Sequence, residues 1–122
     1  MSKKSTSWKI RIRQMFEATT KILRYTTDMD EDKFYESSMV IEAVERNFQV
    51  LGEASKHVPA EIQEKYPEVP WKLIRQMRNF VIHQYDDVEE HILWDTIQNN
   101  LPRLKTTLEK LILGLYKPTS GA

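Results

Sequence analysis

The segment Met77–Asp87, MRNFVIHQYDD, sets Arg78, Asn79, His83 and Tyr85 around the apolar residues Phe80, Val81 and Ile82. These are residue types that do chemistry. A histidine titrates near neutral pH and moves a proton either way. An arginine stays charged and offers a planar fork of donors that matches a phosphate. Asn79 adds a neutral polar contact. Such a set suits binding an RNA phosphate, helping a 2′-hydroxyl attack it and steadying the charge that develops. That chemistry needs no metal, and His83 has no histidine or glutamate four residues on to share one. A plainer use of the same residues stands beside this one. Arginine and histidine near a helix end often only cap or solubilise, and a tyrosine often closes a core with its hydroxyl in water.

The spacing constrains the geometry. At about 100° per residue, Arg78 and Tyr85 nearly share a helix face, while His83 points roughly 140° away from Arg78. A straight helix therefore brings Arg78 and His83 together poorly. Either the helix ends or distorts near His83, or a second copy of the chain supplies the partner group.

Composition bounds what surrounds this segment. The 122 residues fit one domain (1–122, with 1–6 and 117–122 expected as loose tails) and suffice for a core without disulfides or a structural metal. Hydrophobic residues at 40% and charged residues at 30% describe a globular chain rather than a disordered one. The net charge of +0 means that any nucleic-acid role must rest on a local basic patch. Lys72, Arg75 and Arg78, on or near one helix, form one candidate stripe; a solvated face is the alternative. The chain has no cysteine, which excludes disulfide frameworks, thiolate metal sites and cysteine nucleophiles. No apolar run approaches the ~20 residues that span a bilayer. The start carries no apolar segment of a secretory leader, so a soluble cytoplasmic protein is expected.

The pattern is helical throughout. Three glycines and five prolines are too few turns for a β-rich fold, and the apolar residues recur at helical spacing. A first helix is predicted from Ser7 to Thr27, capped by Ser5 or Ser7, with Ile12, Met15, Phe16, Thr19, Ile22 and Leu23 in one stripe. A short turn of helix follows around Lys33–Glu36. A second helix starts at Ser37 or Ser38, buries Ile41, Val44, Phe48, Leu51 and Ala54, and fades near His57 ahead of Pro59. A short helix begins at Pro59 and stops at Pro67. A third long helix starts at Pro70 or Trp71 with Leu73, Ile74, Met77, Phe80 and Val81 as core positions. A fourth, capped by Asp86 or Asp87, carries Ile92, Leu93, Ile97, Leu101, Leu104, Leu108, Leu111, Ile112 and Leu115. Pro102 should bend or break it. The sum is an all-α antiparallel bundle of about four main helices plus a short one.

Arg78 to Tyr85 resembles the Arg-x4-His-x-Tyr signature of the HEPN superfamily, in its HepT-like branch. The blocks VIEAVERNFQVLGEASKHVP, YPEVPWKLIRQMRN and ILWDTIQNNLPRLK resemble the matching family segments in the same order, so the likeness covers about Trp8 to Leu113. The resemblance implies a HEPN-like bundle that forms a homodimer and acts as the toxin of a type II toxin–antitoxin pair. It implies a metal-independent endoribonuclease without cofactor, with RNA such as tRNA as substrate. The partner would be a minimal nucleotidyltransferase of the MntA type, which attaches AMP at the position of Tyr85. Two motif copies would line a cleft at the dimer interface. Arg78 would then bind the scissile phosphate, His83 act as general acid or base, and Asn79 assist. AMP on Tyr85 would obstruct RNA by charge and bulk. Glu53 either supports the site or makes a polar contact near the interface, and Gly52 allows close helix packing. Where many members carry an aromatic residue after the tyrosine, this chain has Asp86. That acidic flank favours an alternative, a non-catalytic helical dimer that binds a nucleotidyltransferase or a nucleotide.

Overall fold

A computed structural model describes the backbone of residues 2–80 and 87–115, and side chains over 7–80 and 90–115. Within these residues the order is α1 (Ser2–Thr26), α2 (Glu31–Glu36), α3 (Ser38–Lys56), α4 (Ala60–Lys65), α5 (Trp71–Met77), α6 (Asp87–Asn99) and α7 (Leu101–Leu115). The fold is all-α, and no strand occurs among the described residues.

The long helix α1 packs against α3 and α7, and α5 lies on α3. Its apolar stripe is the reason: Ile12, Met15 and Ile22 are fully buried. They meet Val44, Phe48 and Leu51 of α3 in one cluster with Ile74, Met77, Leu93, Ile97, Leu101 and Leu108. Thr19 lies in the same stripe with its buried hydroxyl satisfied, donating to the Met15 carbonyl at 2.8 Å. Phe34 inserts the short α2 into this core and packs on the Trp94 ring at 5.3 Å.

The helix ends follow local chemistry. Asp30 caps α2, its carboxylate accepting from the Lys33 amide at 2.8 Å. Pro59 precedes α4, and α3 stops at His57. Pro102 sits in the first turn of α7, where its missing N–H costs nothing, and Asn100 separates α6 from α7. The expected break at Pro102 is therefore a junction between two helices.

Several expectations need correction. α1 begins at Ser2, so the first residues are helical backbone and neither Ser5 nor Ser7 stands outside the helix as a cap. Ser37 occupies the cap position of α3 but makes no side-chain cap bond. Ile92 is 42% exposed rather than core, since Leu93 and Ile97 already define the inward face of α6. The largest difference concerns the third long helix. It ends at Met77 after seven residues, with Arg78 at its C-cap and Asn79 and Phe80 beyond it. Val81 lies outside the described residues, as do Ile82, His83, Tyr85, Asp86 and the tail 117–122.

Candidate functional site

Helix α5 exists to deliver its last turn. Trp71 anchors its start, the indole N–H donating to the Tyr66 carbonyl at 3.0 Å, and Ile74 and Met77 bury its inner face. Past Met77 the chain turns, held by the Arg78 amide to the Arg75 carbonyl at 3.4 Å and the Phe80 amide to the Met77 carbonyl at 3.0 Å. Phe80 packs edge-on against Phe48 of α3, centroids 5.4 Å apart.

Gly52 makes this docking possible. A Cβ at that position would lie 2.7 Å from the Arg78 Cβ and 2.9 Å from its Cα and backbone nitrogen. Any side chain on α3 there would push Arg78 away, so the expected close packing at Gly52 has a specific partner, the motif arginine itself.

One residue further on, Glu53 receives Arg78. The Arg78 Nε lies 2.6 Å from Glu53 Oε2, with both side chains about half exposed. The carboxylate engages Nε; among the described residues the two terminal guanidinium nitrogens have no acceptor, and two oxygens of a phosphate would suit them.

The pair sits in an open cleft of about 810 Å³ between α1 and α3, to which α1 contributes Arg11, Gln14 and Lys21, and α3 contributes Arg46 and Glu53. Asn79 is exposed beside Arg78 but does not line the cleft. Lys72 and Arg75 do not line it either, and Arg75 instead donates to Gln63 at 3.3 Å. The expected Lys72–Arg75–Arg78 stripe is thus not what surrounds Arg78; the neighbouring cations come from α1 and α3. Periodicity places Arg11 and Lys21 on one side of α1, but only the packing of α1 on α3 shows which cleft that side borders.

A second polar cluster lies between α2 and α6. Tyr35 donates to Glu31, and His91 Nδ1 is 3.0 Å from Glu31 Oε2 and 3.2 Å from the Tyr35 oxygen. The hydrogen bond from Tyr35, then that with His91, holds the Glu31 carboxyl below its ordinary 4.5. Burial first, then the Glu31 bond and charge, push the Tyr35 phenol up to about 12. Among the described residues no three His, Asp or Glu side chains gather as a metal site. No helix among them is long and apolar enough to cross a membrane.

The model of the HepT-like family, described as ribonuclease HepT-like, matches residues 15–111. This chain belongs to that family. Ribonuclease is the enzyme class that membership gives it. A relative from Methanocaldococcus jannaschii, provisionally named an RNase, is 39% identical over 77% of this chain and 81% of its own length. A protein of Thermococcus cleftensis, provisionally named ribonuclease HepT, is 35% identical over 78% of this chain and 86% of its own. A third relative, also from M. jannaschii, carries a name joining gamma-glutamylcyclotransferase to a provisional RNase, and is 35% identical over 89% of this chain. The chain spans about half, 49%, of that relative's length. No solved structure gave a significant match.

Proposed function

We propose that this chain is the toxin of a toxin–antitoxin pair: a metal-independent endoribonuclease, acting on RNA such as tRNA as a homodimer. The observation that carries the reading is the presentation of Arg78, the motif arginine of a HepT-like chain, at a helix end, held by Glu53 and facing an open polar cleft.

In this reading the free end of the Arg78 guanidinium binds the scissile phosphate. The ribose 2′-oxygen attacks phosphorus, the bond to the 5′-oxygen breaks, and the products are a cyclic 2′,3′-phosphate and a 5′-hydroxyl. His83 takes the proton from the 2′-hydroxyl or returns one to the leaving oxygen. With two copies facing each other, the two His83 side chains fill both roles. Arg78 steadies the charge that develops on the phosphate, and Asn79 assists. Glu53 fixes Arg78 without neutralising its outer nitrogens; a half-exposed pair of this kind is worth under about 1 kcal/mol, weak enough for a phosphate to share the arginine. Tyr85 is the regulatory residue. A nucleotidyltransferase of the MntA type attaches AMP there, adding negative charge and bulk where RNA must pass.

The test is induction of the wild-type chain in cells beside His83→Ala, with tRNA from both resolved on a gel. Arrest with shortened tRNA in wild type alone is the expected result. Intact RNA and normal growth with both chains would replace this reading by the non-catalytic dimer that the acidic residues Asp86 and Asp87 favour.

A further inference from the structure

The cleft beside Arg78 is more basic than the chain that forms it. Its lining holds Arg11, Lys21, Arg46 and Arg78 against Glu17 and Glu53, while the whole chain balances 18 cations with 18 acids. Glu53 is engaged by Arg78. Among the described residues Arg11 donates to the neutral Gln14, at 3.3 Å, and no carboxylate lies within ion-pairing distance of Arg11, Lys21 or Arg46. With so many acids available, cations around one cleft that no described carboxylate pairs point to an anionic ligand rather than to stability.

The shape and lining narrow the ligand. On α1, Arg11 and Lys21 are ten residues apart, a span of about 15 Å along the axis. On α3, Arg46 precedes Glu53 by seven residues, so it lies on the same face about 10 Å away. A single phosphate group cannot use cations distributed over such lengths; a chain of phosphates can. None of the cleft's lining residues among those described is aromatic. Proteins that hold single strands by their bases stack them on aromatic rings. Among its described residues this cleft has none, and it offers instead the amides of Gln14 and Gln49.

We propose that Arg11, Lys21 and Arg46 form a phosphate track along the α1–α3 cleft. It grips the backbone of a single-stranded RNA beside the scissile position and leads it to Arg78, without selecting bases in that stretch. This rests on the ribonuclease reading above, because the track takes its direction from Arg78. It adds a binding site on two helices that the motif does not contain, and it assigns substrate grip to α1 and α3 and chemistry to the motif.

The experiment uses the full chain carrying His83→Ala, so that RNA is bound without being cut. The probe is a labelled single-stranded RNA of mixed sequence, titrated over a range of salt. Arg46→Gln with Lys21→Gln is compared with Arg103→Gln with Lys110→Gln, two cations beside a separate cavity of about 640 Å³ bordered by α5 and α7. Each phosphate contact to a single strand contributes about 0.7 to the slope of log K against log salt, so losing two lowers it by about 1.4. The track predicts that drop for the Lys21 and Arg46 pair and a near-parental slope for the control pair. It predicts the same drop with homopolymeric RNA of either pyrimidine or purine. Equal slopes for both pairs overturn the track, and they leave the ribonuclease reading standing if the unsubstituted chain still cuts RNA. A parent that binds no RNA at any salt overturns both. A change of sedimentation in the Lys21 and Arg46 variant, with RNA affinity intact, assigns these cations to an interface between copies and also overturns the track.

Discussion

Two regions flank the motif in sequence, and they are held by different physics. On the upstream side, α3 carries the end of α5 by apolar and steric contact: Phe80 on Phe48, the Arg78 backbone against Gly52, and one ion pair to Glu53. On the downstream side, α6 is tied to α2 by the partly exposed network of Glu31, Tyr35 and His91, with Phe34 and Trp94 behind it. The first region is held mainly by burial and close backbone contact. The second region holds Glu31 and Tyr35, whose protonation is coupled to the fold. The half that holds Arg78 is therefore set mainly by packing, and the half that leads away from the motif is set partly by protons.

The heaviest blow to this contrast is Phe48→Ala. Phe48 is fully buried and is the ring against which Phe80 rests. Removing it costs about 3–5 kcal/mol, from lost burial and the cavity left behind. Urea unfolding checks this as a fall in midpoint at unchanged slope. A loss under about 1 kcal/mol would mean that the upstream half does not depend on this packing.

Gly52→Ala is smaller and more local. Alanine favours the helix by about 1 kcal/mol over glycine. The new Cβ, however, meets backbone atoms of Arg78 at 2.9 Å, which cannot rotate away as a side-chain tip would. Overpacking of this kind costs about 1–3 kcal/mol, so the net result is a loss of about 1 kcal/mol and a displaced Arg78. RNA cleavage should fall much further than stability. Gly114→Ala in α7 is the control, because nothing lies within 4 Å of its new Cβ and the chain should be neutral or slightly stabilised. Similar behaviour of the two alanines would remove Gly52 as the seat of Arg78.

These two residues also show how far the sequence could be read. The stripes of α1 and α3 were legible because burial on one face leaves a 3.6-residue period, and Ile12, Val44, Phe48 and Leu51 all fall on it. The end of α5 was not legible. No proline or glycine follows Met77, so the local pattern continues as a helix through Phe80 and Val81. What stops it at Arg78 accompanies a contact with α3, 26 residues away in sequence at Gly52, and no window of local sequence contains that contact. Arg78 and its motif were found by residue type and resemblance. Arg11, Lys21 and Arg46 were not, because on a long charged helix each reads as ordinary solvated surface until the neighbouring wall is in place.

The pH dependence of stability gives the smallest effect and separates the two regions. Glu31 has a lowered carboxyl pKa in the fold, so it contributes stability above its unfolded value of 4.5, and that contribution is lost as pH falls below it. Tyr35 has the opposite sign. Its phenol is raised from 10.0 to about 12, so the folded chain holds this proton more tightly than the unfolded chain. Stability from Tyr35 is complete below pH 10.0 and falls as pH rises toward about 12. Unfolding in urea across pH should therefore show both limbs. Glu31→Gln flattens the acid limb, and Tyr35→Phe flattens the alkaline one. An acid limb unchanged by Glu31→Gln, or an alkaline limb unchanged by Tyr35→Phe, would show that protons contribute nothing at this network, and the division between a packed half and a protonic half would fail.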